Sequence, residues 1–122
     1  MAETPIKITI GEDQVEGMLA DNPAARDLIS QLPLTLTFSD YGGQEIVATA
    51  PEGLTMEGMP SGESAPAGTI GYYAPQQAIV LYYTDVPRFP GIVRLGSFGG
   101  EVSLLSGWRE PRPVTIDVLS AP

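Results

Sequence analysis

The chain has 122 residues, a net charge of −9 and neither histidine nor cysteine, with 43 % hydrophobic and 17 % charged residues. That length fits one domain, residues 1–122, and that balance can bury a core, which excludes disorder of the whole chain. The missing residue types exclude Ser-His-Asp triads, Cys-His nucleophiles, histidine acid–base catalysis, zinc fingers, thiol redox centres and disulfide frameworks, so no metal and no cofactor are expected.

The dominant period along the chain is two. Ile6, Ile8 and Ile10 alternate with Lys7 and Thr9, Gly11-Glu12-Asp13 turns, and Val15, Gly17 and Leu19 continue on a second strand, so residues 5–20 read as a hairpin. One helix follows over about residues 23–32. Asn22 is a good N-cap, Pro23 suits the first helical position, and Ala24, Ala25, Leu28, Ile29 and Leu32 make one apolar stripe before Pro33 stops it. A helix this short needs its stripe buried against the sheet, across an open end. Leu34, Leu36 and Phe38 then alternate with Thr35, Thr37 and Ser39, and Asp40-Tyr41-Gly42-Gly43 turns into a strand over residues 44–50.

Residues 51–68 are rich in Gly, Pro, Ser and Glu and lack periodicity; they read as a long loop too polar for the core. Strands are expected again at 69–73, 78–84, 92–97 and 113–119, with a short helical turn near 101–108. About eight short strands without strand–helix alternation exclude parallel α/β folds. The fold expected is mainly β, a closed eight-stranded antiparallel barrel with one capping helix; a two-sheet sandwich is the open alternative.

Charge narrows the partners. Residues 1–61 hold ten acids and two bases, residues 62–122 five acids and four arginines, so nucleic-acid phosphates and anionic membranes are repelled. The N-terminal Met1 to Pro5 lacks the basic and apolar regions of a signal peptide, and the longest apolar run, Ala78 to Tyr83, is far short of the roughly 20 residues a membrane helix needs. A cytoplasmic location is the expectation.

Five segments carry a resemblance. Asp21-Asn22-Pro23-Ala24-Ala25, Leu32-Pro33-Leu34-Thr35-Leu36, Gly68-Thr69-Ile70-Gly71-Tyr72-Tyr73-Ala74-Pro75, the Ile79–Tyr83 strand and Val93-Arg94-Leu95-Gly96 together resemble the small prokaryotic cyclophilin-like proteins. The resemblance implies a cyclophilin-type eight-stranded barrel, in agreement with the strand count. It brings no catalytic residue with it. Cyclophilin isomerases use an arginine in a Phe-His-Arg motif, whereas Arg94 stands in Val-Arg-Leu-Gly and Arg88 in Pro-Arg-Phe-Pro.

Site candidates come from strand parity. Tyr72-Tyr73 and Tyr82-Tyr83 are adjacent pairs on neighbouring strands, so one of each pair faces out. Arg94, between core positions Val93 and Leu95, faces out as well. An outward tyrosine row beside Arg94 would make a shallow groove for a proline-containing peptide or a small planar ligand. The plainer alternatives are a surface-paired arginine and tyrosines covered by the helix and the long loop.

Other groups are weaker. Glu12, Asp13 and Glu16 lack calcium-loop spacing, Gly96 to Gly100 lacks the lysine of a phosphate loop, and Met56 and Met59 are given no role. Trp108, just before Arg109, is expected to cap the barrel end, the alternative being to stack with a guanidinium. The function expected first is a non-enzymatic binding module using Tyr72, Tyr73, Tyr82, Tyr83 and Arg94. The alternatives are a weak prolyl isomerase with a relocated arginine, and an interaction protein acting through residues 51–68.

Overall fold

The computed structural model describes residues 3–100 and 102–119. Ten strands occur there: β1 (Thr4–Ile10), β2 (Asp13–Leu19), β3 (Leu34–Tyr41), β4 (Glu45–Thr49), β5 (Gly62–Ala65), β6 (Thr69–Tyr73), β7 (Ala78–Tyr82), β8 (Val86–Pro90), β9 (Ile92–Phe98) and β10 (Arg112–Val118). Eight of them close into an antiparallel barrel in the order β1-β10-β3-β4-β7-β6-β9-β2, and they are the eight that alternation marks in the sequence.

Alternation dictates the interior. Ile6, Ile8, Leu19, Phe38, Ile46, Ile70, Ile79, Leu81, Val93, Leu95 and Ile116 all lie inside one apolar cluster. The seam that closes the barrel is short, with only Gly17, Met18 and Leu19 of β2 paired to Phe98, Ser97 and Gly96 of β9. Glycine is required there, because a Cβ on Gly96 would stand 2.0 Å from the Met18 carbonyl oxygen.

The helix α1 (Pro23–Ile29) starts as its caps dictate, with the Asn22 side chain accepting from the Ala25 amide. It spans from the end of β2 to the start of β3 and buries Ala24, Ala25 and Leu28 in the barrel core. It ends three residues before the expected Leu32. The Gln31 and Leu32 amides donate to Leu28 and Ile29 carbonyls, so the last turn tightens to three-residue spacing ahead of Pro33.

Residues 51–68 are not the strandless polar loop that composition suggests. Leu54 is buried in the main core, Met56 and Met59 pack against it, and Gly62–Ala65 forms β5, paired with β8. Both strands evade sequence patterning for a physical reason. GESA is short and polar, and VPRFP carries two prolines, which only a strand with an unpaired edge tolerates. Together they lie over the outer face of β4, β7, β6 and β9, where Ala65 and Val86 pack on Ala78, Val80, Tyr82 and Ile92 in a second apolar cluster. This is why β7 is buried along its whole length and reads as an unbroken apolar run.

Val102–Leu105 forms a single 3-10 turn within the segment expected to be helical, Glu101 lying outside the described residues. Trp108 packs against the core cluster, its indole N–H donates to the Leu104 carbonyl at 2.8 Å, and the Arg112 guanidinium lies 4.8 Å from the ring centroid. Core packing and cation stacking therefore coexist at that residue. No helix among the described residues is long and apolar enough to cross a membrane.

Candidate functional site

The pleat sends Val47 of β4, Ala78, Val80 and Tyr82 of β7, Tyr73 of β6 and Ile92 of β9 to the outside of the barrel. The β5–β8 ribbon covers this face incompletely. Small side chains at Val47, Ala78 and Val80 leave a cleft of about 250 Å³ beneath Val86 and Phe89, with Tyr41, Gln44, Glu45 and Gln76 around its mouth. Tyr82 lies over Gly71, where a Cβ would stand 2.7 Å from its ring, so a glycine at that position lets the phenol lie flat along the floor toward Tyr73. The Tyr73 and Phe89 rings face each other at 6.1 Å between centroids and 45°.

Tyr41, Gln44, Glu45, Tyr73, Gln76 and Tyr82 bring polar groups to the cleft. Among the described residues, no hydrogen bond is made by the side chains of Glu45, Tyr73 or Tyr82, although Tyr82 is only 1 % exposed. The Tyr82 oxygen keeps access to solvent, the buried side-chain atom without a partner among the described residues being Gln31 Oε1, so a ligand group in the cleft can take the place of water there. Burial, and after it the Asp40 charge, holds the Glu45 carboxyl above its ordinary range. Burial, then Glu45 and Tyr73, pushes the Tyr82 phenol far up, so it is a neutral hydroxyl at any physiological pH. Among the described residues, no lysine or arginine lines the cleft.

The five residues picked out by strand parity are thus divided. Tyr73 and Tyr82 are the outward members of their pairs and line the cleft together. Tyr72 faces the core, where its hydroxyl accepts from the Leu54 amide at 3.1 Å and fixes the start of the 51–68 segment. Tyr83 follows β7 and donates to the Asp40 carboxylate; burial and that bond push its phenol up to about 12. Arg94 faces outward between buried Val93 and Leu95, but it does not reach the cleft. Its Nε and Nη2 donate to the carbonyl and hydroxyl of Ser64 at 2.7 and 2.8 Å, and its backbone amide donates to Glu63 at 2.8 Å. Arg94 is paired with Gly71 in the β6–β9 ladder, and the register shift beside it leaves Leu95 as the extra residue of β9. Arg94 is the latch of the ribbon.

Sequence reasoning missed Glu45, Tyr41, Val86 and Phe89. Glu45 was one acid among fifteen, Tyr41 read only as part of a turn, and the prolines hid the strand that carries Val86 and Phe89. A second hollow, wider and more polar, lies along residues 104–112, but its tryptophan ring is already covered by Arg112. Among the described residues, no group of three or more acidic, histidine or cysteine side chains is placed to hold a metal ion.

A sequence model of the Cyclophilin-like family matches residues 8–117. The chain belongs to the cyclophilin-like family. The solution structure of a hypothetical protein from Archaeoglobus fulgidus superposes with a TM-score of 0.64, covering 96 % of this chain and 95 % of that one at 16 % sequence identity. Likeness at that identity is likeness of fold alone. No curated protein sequence matches the chain. This cyclophilin-like barrel contains no histidine, so the Phe-His-Arg arrangement of the isomerases has no counterpart in it.

Proposed function

We propose that this protein is a non-enzymatic binding module that takes a small ligand in the cleft between the β5–β8 ribbon and the outer face of the barrel. Tyr73 and Tyr82 are its contact residues. Tyr72, Tyr83 and Arg94 hold the frame around them. The observation that carries this reading is the cleft itself, about 250 Å³ over an apolar floor of Val47, Ala78, Val80 and Ile92, with the side chains of Glu45, Tyr73 and Tyr82 on its wall making no hydrogen bond among the described residues.

Prolyl isomerisation draws no support from Arg94. Lowering an amide barrier of ~18–20 kcal/mol requires a donor free to reach the imide nitrogen beside a dry ring pocket. The Arg94 donors are engaged by Ser64 instead.

The test is a titration of the isotope-labelled protein with a panel of small metabolites and proline-containing peptides, followed by NMR. At least one small molecule is expected to give saturable shifts at Tyr73, Tyr82 and Phe89. Ala78→Leu, which fills the cleft floor, should abolish them while the far-ultraviolet circular dichroism stays native. A panel that leaves those resonances still would end the proposal.

A further inference from the structure

We infer that the ligand of this cleft is a small organic ammonium ion, quaternary or protonated; the inference rests on the binding reading given above. Four aromatic side chains line the cleft: Tyr41, Tyr73, Tyr82 and Phe89. Aromatic faces carry partial negative charge, and a cation within about 6 Å of several ring centroids is attracted to all of them. Tyr73 and Phe89, 6.1 Å apart at 45°, are tilted rather than stacked, and both line the cleft.

The only charged side chain lining the cleft is Glu45, and among the described residues it has no ion-pair partner. It stands opposite Tyr82 in the β4–β7 register, near enough for its charge to act on that phenol, while the Tyr82 ring leans over Gly71 on the other side of β7. The groups facing Glu45 are Asp40 from β3 and the phenols of Tyr82 and Tyr83, all acidic or neutral. An anionic ligand would add to this repulsion. A neutral ligand would desolvate the carboxylate further and return nothing to it. A cation compensates the charge, an alkylated or protonated amine also uses the rings, and a protonated one can donate to the Tyr82 oxygen. The overall charge of −9 favours its approach. A cleft of about 250 Å³ limits the ligand to a compact ammonium head with a short tail.

The full chain titrated with choline, and in parallel with its uncharged isostere 3,3-dimethylbutan-1-ol, tests this by NMR. Choline should shift the Tyr73, Tyr82 and Phe89 resonances saturably and bind about tenfold or more tightly than the alcohol. Glu45→Gln, checked for native circular dichroism, should remove most of that preference and leave the alcohol's affinity unchanged. Equal binding of the two compounds overturns the ammonium inference while the cleft reading stands. If neither binds, the ammonium inference falls, and the metabolite panel with Ala78→Leu decides the cleft reading separately. Choline binding that survives Ala78→Leu places the contact outside the cleft and overturns the inference as well.

Discussion

The two sides of the barrel handle the same pleat in opposite ways. On β1, β10 and β3 the outward positions are Lys7, Thr9, Thr35, Thr37, Thr115 and Asp117, which meet water; the Thr35 and Thr115 hydroxyls bond to each other at 2.8 Å across the strands. On β4, β7, β6 and β9 the outward row is Val47, Val80, Tyr82, Tyr73 and Ile92, and a second, smaller core forms over it under the ribbon. A strand facing water needs an amphipathic sequence, whereas a strand covered on both faces can be apolar throughout. The candidate site lies where the second condition is met incompletely: apolar enough to need a cover, yet not filled by it.

The largest effect expected follows from placing one charge on each side. Val80→Lys puts an ammonium at a fully buried outward position of β7, without a carboxylate on its own rung, and should cost at least about 3 kcal/mol in denaturant unfolding. Thr37→Lys, at an exposed outward position of β3, should stay within about 0.5 kcal/mol of the parent. Equal costs at the two sites would break the comparison, because both sides would then be solvated alike.

How much could be read from the sequence follows the same division. The eight barrel strands are visible because each has an inward face, and Ile6-Ile8-Ile10 or Leu34-Leu36-Phe38 repeat it at every second residue. Parity says that one tyrosine of each adjacent pair turns outward but not which one; the structure turns out Tyr73 and Tyr82. What covers the outward row is not local information. A four-residue strand with one apolar contact at Ala65, and a partner strand broken by Pro87, leave no period to detect. The position of Arg94 was readable and its partner was not, since Ser64 lies 30 residues away along the chain.

A middle-sized effect separates the ribbon from the barrel. Arg94→Ala removes both guanidinium bonds to Ser64 and leaves the backbone amide to Glu63 in place. Global stability should fall by about 1 kcal/mol, these being charge-assisted bonds that are partly wet. Amide hydrogen exchange in β5 and β8 should accelerate about tenfold, while β1 and β10 keep their protection. Uniform acceleration in all ten strands would mean that ribbon and barrel open as one unit, and the distinction between the two layers would lose its energetic content.

The smallest effect is at Glu45, and its sign is the informative part. The folded protein holds this carboxyl above its ordinary range, by burial first and Asp40 second, so the folded state binds a proton more tightly than the unfolded chain does. Protonation therefore favours folding, and the contribution is lost as pH rises from the ordinary carboxylate value through the raised one. Above that window the parent carries an uncompensated half-buried charge that Glu45→Gln does not. The variant should accordingly be the more stable protein near neutral pH, by about 0.5 kcal/mol because water at the cleft mouth screens much of the cost. The difference should vanish in acid, where both side chains are neutral. Urea unfolding of parent and variant across that pH range measures it. A carboxylate kept at a position where its amide is more stable is what a site for a positively charged guest requires, and an E45Q variant less stable than the parent at neutral pH would remove that argument.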